Sequence, residues 1–177
     1  MIALVRYWMG LCLLRAAPQD GSASAFILVF SLTCYSMVSV LVLTASYGMG
    51  DGVRLAFLEV LLLSAYVVLL LSLTGKSARV RQTLSALTGA GTLLGIVSFL
   101  LVLTQGAVPA GDAPSPLASI AWLSLVFWNL VVSAHIIRHA LSTNLLVGFV
   151  MSLLYMVIST RLALYVIPLQ EEVGLTG

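Results

Sequence analysis

The chain has 177 residues, 61% hydrophobic and only 8% charged, with a mean hydropathy of +1.15 and a formal charge of +2. Soluble domains carry about a quarter charged residues, so this composition excludes an ordinary soluble domain. The small, scattered charge lacks the basic face or stripe that nucleic acid requires, which leaves membrane lipid as the solvent and first partner.

Uncharged runs at 21–50, 82–111, 113–137 and 140–160, and one at 55–74 broken only by Glu59, are each long enough to cross a bilayer. A span takes about 20 apolar residues. A transmembrane β-barrel needs strands of about 10 residues with polar and apolar positions alternating, whereas Leu61–Leu63 and Val67–Leu71 are apolar all round. The predicted fold is therefore all-α: a polytopic transmembrane bundle of five spans, residues 21–168, preceded by an interfacial amphipathic helix within 1–20 and followed by a short external tail, 169–177.

In the first segment Arg15 closes the short apolar run Met9–Leu14, and no small-x-small cleavage site follows before Pro18, which argues against a signal peptide. Helical spacing places Leu4, Trp8 and Leu11 on one stripe. The segment is too short to span, so it is expected to lie in the interface, Tyr7 and Trp8 at headgroup depth and Arg6 and Arg15 reaching toward lipid phosphates.

The first span is predicted over 25–45, ended by Tyr47, Gly48 and Gly50; the second covers 55–74 and stops at Gly75. A basic loop with Lys76, Arg79 and Arg81 follows. The third span, 84–104, is rich in small residues, and a loop with Pro109, Gly111, Pro114 and Pro116 separates it from the fourth, 117–137. The fifth runs over 144–167, before Pro168, Glu171 and Glu172. Arg6, Arg15, the basic loop and Arg138 fall on one side, and only Arg54 on the other with Asp51, Asp112 and the two glutamates. Cytoplasmic loops carry the excess of Lys and Arg, so the amino terminus is expected in the cytoplasm of an inner, plasma-type membrane and the carboxyl terminus outside.

Glu59 and Arg161 are the charged residues well inside predicted spans, and an intramembrane charge is a functional candidate by default. Both fall in the outer half by residue count, so an ion pair clamping the second span to the fifth is expected; the alternative is Arg161 reaching the outer headgroups and Glu59 facing a hydrated vestibule. His135 and His139, four apart on a helix face beside Arg138, have a spacing that zinc uses, but no third ligand accompanies them, and a basic cluster meeting anionic headgroups is the preferred reading. Cys12 and Cys34 show no metal-site spacing and read as small apolar fillers; no cofactor or metal is predicted.

In the third span Ser85, Gly89, Gly91, Gly95 and Ser98 form a dense small-residue set with a Gly-x-x-x-Gly motif, expected to pack closely against another span or another subunit. Asn129, with Ser124 and Ser133, is expected to hydrogen-bond between helices. No motif for nucleophilic, acid–base or phosphate chemistry is present, which points away from an enzyme.

The stretch GKSARVRQTLSAL, Gly75–Leu87, and IIRHAL, Ile136–Leu141, between the fourth and fifth spans, resemble the bacterial members of the Yip1-like family of five-span membrane proteins. The likeness covers about 26–167 and implies a cytoplasmic amino terminus and a role in membrane organisation or assembly; the long amino-terminal region of that family has no counterpart here. Two functions are thus expected: a non-enzymatic membrane protein acting by packing with a second copy or another membrane protein, or a small transporter or channel subunit using Glu59, Arg161 and Asn129.

Overall fold

The computed structural model describes residues 2–105 and 115–166. The loop prolines Pro109 and Pro114, the acidic Asp112, Glu171 and Glu172, and the predicted external tail lie outside the described residues. The helices are α1 (Ile2–Cys12), α2 (Ala25–Tyr47), α3 (Met49–Leu73), α4 (Val80–Gln105), α5 (Pro116–Leu141) and α6 (Leu145–Val166). Helices α2 to α6 are each long and apolar enough to cross a membrane, and the chain is a multi-pass membrane protein of all-α architecture.

Helices α2 and α3 are joined by the single residue Gly48, whose φ of +82° a side chain would resist. Gly52, one turn into α3, lies so close to α2 that an added Cβ would stand 2.5 Å from the Thr44 backbone. This close approach folds residues 49–54 into the helix, where Asp51 and Arg54 pair on its exposed side at 3.6 Å. The second span therefore starts earlier than the expected Leu55.

At the other end of α3, the basic loop reaches across to α5. The Lys76 ammonium donates to the Leu141 carbonyl, and Arg79 donates to Ala140 O at 2.9 Å and to Ser142 Oγ at 2.6 Å. Cations suit these last carbonyls, which have no partner within the helix and form its negative end. Ser142 turns the chain in the left-handed region, and Asn144 Oδ1 accepts from Val147 N–H at 2.9 Å to start α6.

Helix α4 is central: it packs along α2 and α5 and meets α1 and α3. Its residues Thr83–Ala90 are all buried. Around them gather Leu63, Val67 and Leu71 from α3, Ile136 from α5, and Trp8 and Leu11 from α1. The bundle is tight at this basic-loop end because α4 there carries alanines and glycines, which let backbones approach. Toward the opposite end the helices diverge: Ile96, Val97 and Leu100 of α4 are exposed, as are most residues between Leu117 and Asn129 of α5.

The amino-terminal helix forms as expected, but its apolar stripe faces protein. Trp8 is 3% exposed and stacks on Phe30 with ring centroids 6.2 Å apart, its indole lying where Gly89 has no side chain. Tyr7 donates to Pro18 O at 3.2 Å, Cys12 Sγ lies 3.7 Å from Ala90 O, and Trp128 Nε1 donates to Cys12 O at 3.1 Å. Trp8 and Tyr7 thus anchor α1 to the protein; Arg6 and Arg15 are exposed. The stripe turns inward because α4 offers a small-residue surface with which Trp8 and Leu11 can make denser contact than with lipid.

Candidate functional site

The divergence of the helices opens the interior around Glu59, the tenth residue after the start of α3 and so about 15 Å inside it. Tyr35 of α2 donates its hydroxyl hydrogen to Glu59 Oε1 at 2.7 Å. Ser39, one turn further along α2, shares a cavity wall with the same carboxylate. On α6, Ser152, Tyr155 and Ser159 follow at steps of three and four, which aligns them on one face. Asn129 and Ser133 do the same on α5, and Ser98 completes the polar wall from α4.

Glu59 lines four cavities. One of about 330 Å³ lies between α2, α3 and α6 and is walled by Leu43, Leu55, Leu58, Leu62, Ala163 and Leu164, with Glu59 its only charged residue among those described. A second, about 290 Å³, lies between α4, α5 and α6 and is far more polar, with Asn129, Ser133, Ser152 and Tyr155 in its wall. Two smaller spaces of about 140 and 90 Å³ lie against Tyr35 and Gly91. The buried hydroxyls of Ser152 and Tyr155 have no hydrogen-bond partner among the described residues. Tyr155 is held in place by Tyr66, whose ring lies 5.2 Å away and whose hydroxyl donates to Met151 O at 2.7 Å.

The expected Glu59–Arg161 pair is not formed. Among the described residues the one salt bridge is Asp51–Arg54, and Arg161 is exposed. The reason is helical phase: Arg161 lies two residues past Ser159, so it points about 200° away from the face that meets Glu59. It also sits only five residues from Val166, about 7.5 Å along α6 and nearer the end of the bundle than Glu59.

The small-residue face of α4 is occupied within the chain. A Cβ on Gly91 would stand 2.7 Å from the Tyr35 ring, one on Gly95 2.6 Å from Val38, and Gly89 faces Trp8. Ser85 returns its hydroxyl to Gln82 O at 3.0 Å, and its neighbour Thr88 donates to Ser31 Oγ of α2 at 3.0 Å. Asn129 is exposed to the second cavity and does not clamp two helices.

The basic cluster divides. Lys76 and Arg79 cap α5, Arg81 is exposed, and Arg138 packs its Cβ against the Gly148 position. His135 is 6% exposed, with Nε2 3.0 Å from Ala16 O, so it braces the amino-terminal segment and does not meet headgroups. Its ring contacts His139 edge-on at 4.7 Å, and among the described residues no group of three His, Cys, Asp or Glu comes together.

The sequence pointed to Glu59 and Asn129 and to Ser98 only as a packing residue, and it left out Tyr35, Ser39, Ser152 and Tyr155. Their signal was the polar period along two otherwise apolar helices, Tyr35-Ser39 and Ser152-Tyr155-Ser159. Comparison of the chain with protein families, curated proteins and solved structures finds no match.

Proposed function

We propose that the chain is a small, non-enzymatic membrane carrier or channel component whose working site is the cleft around Glu59. One observation carries this reading: an intramembrane carboxylate with no cationic partner among the described residues stands in the walls of four cavities, alongside hydroxyls that no described residue pairs. A lone carboxylate in an apolar interior is expensive and is neutralised by a proton or a bound cation, so the site is suited to exchange one. Asn129, Ser133, Ser152 and Tyr155 supply the alternate hydrogen-bond partners along the second cavity.

The loop-charge pattern supports a plasma-type membrane with the basic loop in the cytoplasm. Both large cavities then lie toward the external half. The membrane-organisation role implied by the Yip1-like stretches is the second reading, and it needs a surface other than the Gly91–Gly95 face, which α2 covers.

The test is proton flux into liposomes reconstituted with the purified chain, driven by a potassium diffusion potential and followed with an entrapped pH dye. Wild type and Arg161→Gln are expected to conduct above empty liposomes, and Glu59→Gln to match them. Equal rates for all four preparations sink the carrier reading.

A further inference from the structure

We infer that the site takes a monovalent hydrophobic cation, an organic ammonium with an apolar body, a proposal that rests on the carrier reading and names its ligand class. Three features of the 330 Å³ vestibule lead to it. Its walls are leucine and alanine for most of their extent, and such a surface gains by covering an apolar body, at roughly 25 cal/mol per Å² buried. Among the described residues its single charge is the Glu59 carboxylate, and no Lys, Arg or His of these residues forms a salt bridge with it. A cationic ligand completes the site with the positive charge that no described residue supplies.

Aromatic faces accompany that carboxylate. Tyr47 lines the vestibule, while Tyr35 and Tyr155 flank Glu59 from α2 and α6. A cation near such rings is attracted to their negative faces, most strongly where water is scarce. A compact inorganic ion fits the vestibule poorly. Calcium requires six to eight oxygen ligands and magnesium keeps several of its waters, whereas among the described residues the side-chain oxygens in this wall come only from Glu59, Tyr47, Ser159 and Thr160. An organic anion is opposed by the ionised Glu59, and a neutral apolar molecule gains nothing from the carboxylate.

The probe is radiolabelled benzyltrimethylammonium, which combines a fixed positive charge with an aromatic body and has no proton to give. Equilibrium dialysis against the purified full chain in mild detergent should show saturable binding, weakened by at least about tenfold in Glu59→Gln. Ala163→Trp, which fills the vestibule while keeping the charge, should weaken it similarly, and Arg161→Gln should leave it unchanged. Because a variant could lose its fold, the wild type is also tested alone: benzyltrimethylammonium should raise its melting temperature and benzenesulfonate should not. No saturable binding by the wild type, undiminished binding by folded Glu59→Gln, or equal competition by benzenesulfonate overturns the inference. If proton flux depends on Glu59 while the cation does not bind, the ligand class is wrong and the carrier reading stands. Loss of both removes both.

Discussion

Tyr35 on α2 holds Glu59 on α3 by a 2.7 Å hydrogen bond, so this carboxylate deep in the bundle is fixed by a neutral donor and has no counter-charge among the described residues. Hydrogen bonds to charged groups contribute about 1.5–3 kcal/mol. Tyr35→Phe should therefore destabilise the detergent-solubilised protein by about that amount, and much less when Glu59 is already Gln. Thermal unfolding of the two single variants and the double variant measures the coupling. Glu59→Gln and Arg161→Gln, by contrast, should be additive; a coupling above about 0.5 kcal/mol would restore the ion pair that helical phase argues against.

Gly91→Leu should lower stability without altering the oligomeric state. The new side chain meets the Tyr35 ring inside the chain and pushes α2 off α4, where overpacking costs about 1–3 kcal/mol. Tyr35 would shift with it, so the same substitution should also reduce Glu59-dependent flux. Size-exclusion chromatography with light scattering and a melting curve check both parts. An altered oligomeric state with an unchanged melting point would place this face between subunits.

The orientation proposed from loop charge is tested independently of the site. A reporter inserted at Ala78 should be active on the cytoplasmic side, and one fused after Gly177 on the outer side, because an odd number of spans separates the termini. Activity of both on one side would contradict either the span count or the orientation.

The spans were legible because transfer of apolar residues into lipid is a local property, readable from Leu55–Leu73 without knowing its neighbours. The partners of Glu59 were not. An intramembrane glutamate invites pairing with the remaining intramembrane arginine, but residue depth alone omits azimuth, and Arg161 faces away from it. Likewise Trp8 reads as an interfacial residue until Gly89 is placed opposite it, a relation between positions 81 apart that no periodicity carries. Gly91 and Gly95 were read as a contact face, as they are; what decided between another span and another subunit was the position of Tyr35 and Val38.

The buried thiol of Cys12 gives a pH prediction. Burial pushes it up from 9.0 to about 11, and burial followed by the nearby Asp20 charge pushes the Tyr7 hydroxyl up from 10.0 to about 12. Both groups belong to α1, which is too short to span, and both prefer to keep their protons in the folded state. Above pH 9 the unfolded thiol ionises while the folded one does not, so the folded state binds more protons and stability falls as pH rises. The Cys12 contribution should be lost between pH 9 and about 11, and that of Tyr7 between pH 10 and about 12. The melting temperature should accordingly decline over this range, and less steeply in Cys12→Ala between pH 9 and 11. An identical decline in wild type and Cys12→Ala would mean that the thiol ionises as readily in the folded chain as in the unfolded one, and that α1 does not hold Cys12 against Ala90 and Trp128 in solution.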